Sequence, residues 1–149
     1  MNAAARSAAV TVTEAELQAP TVAPITFDRG IYGFPDAKSW VLAATTREGL
    51  YWLQSTEHDA LCFVLADPFR FFRGYSVELP DIDTAHLEAK KPEELAVFVT
   101  VTLSETPGRA STANLQGPIA INLNKRVGRQ VILNQPGFGV REPLDLPPR

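Results

Sequence analysis

The chain has 149 residues, 45% hydrophobic and 21% charged, with a formal net charge of −3. A chain of this size buries about 68–70% of its unfolded surface, so it forms a core without disulfide or metal staples, and its composition excludes a mainly disordered protein. No run approaches the roughly 18–20 apolar residues of a membrane-spanning helix, and a net negative charge argues against nonspecific affinity for nucleic acid phosphates.

Residues 1–22 are rich in Ala and Thr, with Leu17 as their one large apolar residue, and read as a flexible arm. They lack the charged and apolar regions of a secretory signal, and the lone Cys62 offers no intrachain disulfide. A cytoplasmic location is expected. A single β domain is expected over residues 24–143, followed by a proline-rich tail at 144–149.

Ile25, Thr26 and Phe27 predict a short strand, and Gly30 and Gly33 a tight turn with positive backbone angles. Residues 40–45 and 50–53, separated by Thr46, Arg47, Glu48 and Gly49, predict a hairpin. The apolar run at 61–66, closed by Asp67 and Pro68, predicts a strand buried on both faces, with Cys62 filling core. Residues 69–75 read as a strand or short turn whose phenylalanines face inward. Residues 83–90 predict the one short helix, capped by Asp83 and directing Leu87 inward.

Residues 95–103 alternate strictly, with Leu95, Val97, Val99, Val101 and Leu103 in phase, and predict the clearest strand. Residues 118–122 and 130–133 predict a second hairpin whose tip carries Lys125, Arg126 and Arg129. Seven or eight such strands with one short helix predict a mostly β, single-domain antiparallel fold, either a barrel or a sandwich.

The chemistry on offer is thin. Two histidines, His58 and His86, with one cysteine lack metal-ligand spacing, and no nucleophile elbow or phosphate-binding glycine pattern occurs. No cofactor and no catalytic activity are expected. Charge is more informative: residues 1–105 hold fifteen acids and eight bases, while residues 106–149 hold two acids and six bases. The acids concentrate at Glu78, Asp81, Asp83, Glu88, Glu93 and Glu94, with Glu57 and Asp59 flanking His58 in an earlier loop. One competing pattern is Phe69, Arg70, Phe71, Phe72 and Arg73, in which aromatics could stack unpaired bases while arginines meet phosphates. With Lys125, Arg126 and Arg129 it gives the alternative reading, a single-stranded RNA-binding barrel.

Taken together, the punctuation residues resemble a known family. Phe27, Gly30-Ile31, Gly33-Phe34, Leu53-Gln54-Ser55, Leu61 with Phe63, Asp67-Pro68 and Tyr75 are similar to the first half of the bacterial flagellar assembly factor FliW family. The second half is matched by the valine-rich strand at 97–101, then Thr112, Asn114-Leu115, Pro118-Ile119, Ile121-Asn122, and Gly128 with Gln130-Val131-Ile132-Leu133. The resemblance implies a small, mostly β, non-enzymatic protein. It implies binding to the translational repressor CsrA, which relieves repression of flagellin synthesis, and binding to flagellin as its chaperone. Asp59-Ala60 stands where that family usually has a proline, and the N-terminal arm is longer than the family needs.

On this resemblance the acids are expected to meet a basic partner, with Gln54, Ser55, Glu57, Asp59, Glu78, Asp81 and Asp83 at the partner surface. Gly30, Gly33, Phe34, Asp67, Pro68, Asn114, Pro118, Asn122 and Gln130 are expected to be structural, setting turns, filling core or bonding backbone groups at strand ends.

Overall fold

The computed structural model describes residues 21–133 and 137–144. In chain order its strands are β1 (Thr21–Thr26), β2 (Ser39–Ala44), β3 (Leu50–Ser55), β4 (Cys62–Ala66), β5 (Leu95–Thr102), β6 (Ser111–Ala113), β7 (Ile119–Asn122), β8 (Val127–Gln130) and β9 (Glu142–Leu144). Two short helices, α1 (Pro68–Phe71) and α2 (Asp81–His86), and a 3-10 turn at Pro92–Glu94 fill the crossing from β4 to β5.

Seven strands close into a barrel in the order β1-β2-β3-β4-β5-β7-β8, joined by the parallel pair Thr26 and Val127 between β1 and β8. The fold is therefore a barrel, with a small β6-β9 extension growing from the far half of β5. The expected β2-β3 hairpin is present in register, Trp40 opposite Ser55 and Ala44 opposite Tyr51.

Strand β4 is buried throughout because it divides two cores. Phe63 and Leu65 point into the barrel against Ile25, Phe27, Trp40, Leu53, Ile119 and Ile121, whereas Cys62, Val64 and Ala66 face a second core. In the barrel, Trp40 meets Phe27 edge-on at 6.2 Å and Phe63 at 5.6 Å between ring centroids. Gly128 is required beside them, since a Cβ there would lie 2.5 Å from the Phe27 ring. The second core forms outside β3, β4 and β5, where Trp52, Val99, Val101, Leu115 and Leu144 enclose Tyr75. Tyr75 donates its hydroxyl to the Leu115 carbonyl at 3.0 Å, and burial pushes its pKa to about 12.

The barrel ends differ. One end is plugged by residues 27–38, in which Ile31 and Ala37 are buried and Phe34 packs on Phe63. The turn depends on Gly30 and Gly33, at φ +63° and +91°, and a Cβ on Gly30 would strike the backbone of Phe34 and Pro35. The other end opens at Val22, Ala44, Tyr51, Ala96 and Leu123.

Several expectations need correction. Thr21 and Val22 are the start of β1, so the domain begins two residues inside the expected arm, and Leu144 is the buried end of β9 rather than tail. Residues 1–20 and 145–149 lie outside the described residues. The second hairpin turns at 123–126, and β8 includes Arg129, which was expected at an exposed tip. Residues 68–71 form a helical turn because Asp67 caps it, accepting from Phe69 N at 3.0 Å, and Pro68 occupies its first position. Helix α2 starts at Asp81 behind Pro80, so Asp83 lies within its first turn and does not cap it; Leu87 is buried as expected.

Candidate functional site

The acidic segment between β4 and β5 is held on the outside of the barrel wall at three points. Leu87 is buried beneath it, Asn122 Nδ2 on β7 donates to the Leu87 carbonyl at 2.9 Å, and Arg129 Nε on β8 pairs with Asp83 at 3.1 Å. Arg129 is only 4% exposed, because Gly128 and Gln130 alternate with it and α2 covers it from outside. Among the described residues its Nη1 has no hydrogen-bond partner. Asp83 thus spends its charge inside the fold, while Asp81 and Ile82 on the same helix face solvent, Ile82 at 62% exposure.

The β3-β4 loop carries the second acidic group. Gln54 and Ser55, expected at a partner surface, are buried instead. Gln54 Nε2 collects the carbonyls of Ser55, Asp59 and Leu61 at 3.0–3.1 Å, and Ser55 Oγ accepts from the N–H groups of Glu57 and His58, both at 3.1 Å. They shape the loop from within, and Glu57, His58 and Asp59 form its exposed tip.

Glu57 Oε1 accepts from Lys38 N at 2.7 Å and Ser39 N at 2.9 Å, and the Ser39 and Lys38 N–H groups hold its pKa below the usual carboxylate range. A depressed carboxylate contributes stability above its unfolded pKa and loses it as pH falls through the lower folded value. Glu57→Gln is therefore expected to weaken the loop at pH 7, measured as faster amide exchange at Lys38 and Ser39. The difference from the parent should shrink as pH falls below the ordinary carboxylate range and through the lowered folded pKa.

Ser39 pairs in register with Thr26, and Thr26 and Asp28 line a cavity of about 100 Å3 with His86, Leu87 and Arg129. The end of β1 therefore lies beside residues of both acidic segments. The uneven charge along the chain does not become two opposing faces. Arg129 is neutralised inside, Lys125 and Arg126 sit at the β7-β8 turn, and Arg109 and Arg141 line a polar cleft beside β6 and β9.

The aromatic and basic stretch does not form a base-stacking strip. Phe71 and Phe72 pack on the second core, Arg70 pairs with Glu48 at 3.1 Å, and Arg129 is buried. Of its phenylalanines only Phe69 is markedly exposed, at 54%. Burial removes most of the surface that the RNA-binding alternative requires. Among the described residues no cluster of His, Cys, Asp or Glu is placed to hold a metal ion, and no helix is long and apolar enough to cross a membrane.

The motif polar residues bond backbone. Asn114 Oδ1 accepts from Gln116 N and Gly117 N, and Asn122 Oδ1 from Asn124 N and Lys125 N. Gln130 donates to the Gly117 carbonyl at 3.0 Å and accepts from Tyr32 N at 2.8 Å, tying the plug loop to β8. Pro118 is buried, and its carbonyl accepts from Val131 N.

Residues 5–144 match the family model described as FliW protein. The chain belongs to the FliW family. That match takes in all but four residues of the expected arm's first twenty, so the N-terminal stretch falls inside the family's extent rather than outside it. The flagellar assembly factor FliW of Natranaerobius thermophilus is 36% identical over 121 residues, covering 80% of each chain. That of a Geobacillus species is 39% identical over 120 residues, covering 80% of this chain and 83% of the relative. A crystal structure of the flagellar assembly factor FliW superposes with a TM-score of 0.74 at 33% identity, covering 90% of this chain and 89% of the other. These relatives are named flagellar assembly factors, and the solved one shares this fold.

Proposed function

We propose that this protein is a cytoplasmic flagellar assembly factor that acts by binding proteins. It binds a CsrA-type translational repressor, relieving repression of flagellin synthesis, and it binds flagellin as a chaperone. The observation that supports the first activity is the acidic segment around α2, fixed to a rigid wall by Asp83, Leu87 and Asn122, with exposed Ile82 among its acids. A repressor that grips RNA displays basic residues. An acidic surface steers such a partner in and repels RNA from its neighbourhood.

The test is charge reversal on the solvent side of that segment. Glu78→Lys with Asp81→Lys is expected to weaken CsrA binding at least tenfold in titration calorimetry at low salt, with a smaller difference at high salt. Equal affinity for parent and variant at both salts would overturn the reading. Asp83 is left untouched, because its replacement disturbs the fold itself.

A further inference from the structure

The open end of the barrel contains an apolar cavity of about 460 Å3, lined chiefly by Val22, Leu42, Tyr51, Phe69 and Leu123 and by all four successive β5 residues 95–98. Side chains on a strand alternate between faces, so a cavity that touches four in a row looks onto the strand's edge.

Hydrogen bonding identifies which edge. Pro118 and Asn122 give their carbonyls to Val131 N and Arg126 N on the β8 side of β7. By alternation Ile119 and Ile121 bond β5, through their register partners Phe98 and Ala96. Thr100 likewise turns its carbonyl toward β6, accepting from Asn114 N. Val97 and the Leu95 carbonyl therefore point to the opposite edge, where β4 pairs with Val99 and Val101, while the Leu95 N–H donates to the Pro92 carbonyl and closes the 3-10 turn. Strand β4 ends at Ala66, opposite Val99, where α1 begins two residues on. Among the described residues no backbone group pairs with Val97 or with the Leu95 carbonyl on that edge.

We infer that this edge is a strand-addition site that takes a short extended segment of a partner protein, with alternate apolar side chains entering the barrel mouth. The cavity has the volume of about three or four residues in extended form, and the edge offers a backbone one donor, Val97 N–H, and two acceptors, the Leu95 and Val97 carbonyls. Leu123, at 38% exposure, and Phe69 form apolar walls for its side chains. Charges of both signs border the mouth. Asp67 lines it and Glu94 precedes Leu95, while Arg126 reaches the Ala23 carbonyl at 3.0 Å beside Val22. The segment that fits has an apolar centre flanked by charged residues of opposite sign.

This inference rests on the reading that the chain binds flagellin, and flagellin of the same bacterium is the probe. It concerns a different surface from the acidic segment, since the mouth shares no lining residue with the cavity beneath α2. Titration calorimetry and amide exchange on the full chain provide the test. Flagellin is expected to protect the amide of Val97, whereas that of Leu95 is already bonded to the Pro92 carbonyl. Val97→Pro, which removes the outward N–H while sparing the β7 ladder, should weaken flagellin at least tenfold, and Val97→Thr should restore it. Leu123→Glu, on an exposed wall, should weaken it comparably and serves if the proline variant does not fold.

Parent-like binding by both Val97→Pro and Leu123→Glu would overturn the inference and leave the wider reading standing. Protection of Val97 in the free chain would overturn it too, because the chain's own residues, or a second copy if protection rises with concentration, would then cover the edge. Failure of the parent to bind flagellin at all would overturn the functional reading itself and the inference with it.

Discussion

Asp83→Ala is expected to destabilise the protein by about 3 kcal/mol in urea unfolding, because it strands the Arg129 guanidinium inside the wall between β8 and α2. Asp81→Ala, two positions earlier and on the solvent side of the helix, should cost no more than about 0.5 kcal/mol. The asymmetry arises from desolvation: removing one member of a buried ion pair leaves its partner neither solvated nor neutralised. Replacing both members, as Asp83→Leu with Arg129→Met, should recover most of the loss, since apolar residues of similar volume satisfy the same space. A double-mutant cycle measures the coupling directly, and additivity of the two single changes would contradict the account.

Trp40→Ala should be at least as damaging, by about 3–5 kcal/mol. Trp40 is fully buried, touches the Phe27 and Phe63 rings, and donates its indole N–H to the Ala37 carbonyl at 2.8 Å, so its loss opens a cavity and releases the plug loop together. Phe69→Ala, at the exposed mouth, should stay within about 1 kcal/mol. Thermal unfolding followed by tryptophan fluorescence from Trp52 in both variants distinguishes them. Equal midpoints would show that the barrel core is not organised around Trp40.

Much of the barrel was legible in the sequence because its strands are amphipathic or wholly apolar. The alternation at 95–103 and the apolar run at 61–66 marked β5 and β4, and the turn between β2 and β3 followed from its polar residues. Strand β8 was misplaced because Val127, Gly128, Arg129 and Gln130 lack an apolar period. Arg129 belongs there only because Asp83, 46 positions earlier, neutralises it, and pattern reading has no access to that separation. Strands β6 and β9 are three residues each and carry no pattern at all.

The candidate surfaces were less legible, for a related reason. Gln54 and Ser55 have the composition of an exposed loop, yet both are buried because a tight turn gathers carbonyls that need donors. Their burial is visible only once the loop is closed. The acids at Glu57, Asp59 and Asp81 were legible as charge, but the bonds that fix one of them, from Lys38 N and Ser39 N to Glu57, appear only in the folded chain. The open edge at Val97 could be found only from where β4 stops.

The join between β1 and β8 has a kinetic consequence. It rests on the register pair Thr26 and Val127, the bond from Thr26 N to the Arg126 carbonyl, and Arg126 reaching back to Ala23 across 103 positions. Every other neighbouring pair in the ring except β4-β5 is linked by a hairpin or by a connection of no more than 16 residues, so those ladders can form while the sheet is still open. Closing the seam draws on loop entropy over most of the chain and returns few bonds, which places it among the last contacts made during folding. A newly synthesised chain therefore passes through an open, curled sheet with two exposed edges, and completion of the ring awaits residues near its C-terminus.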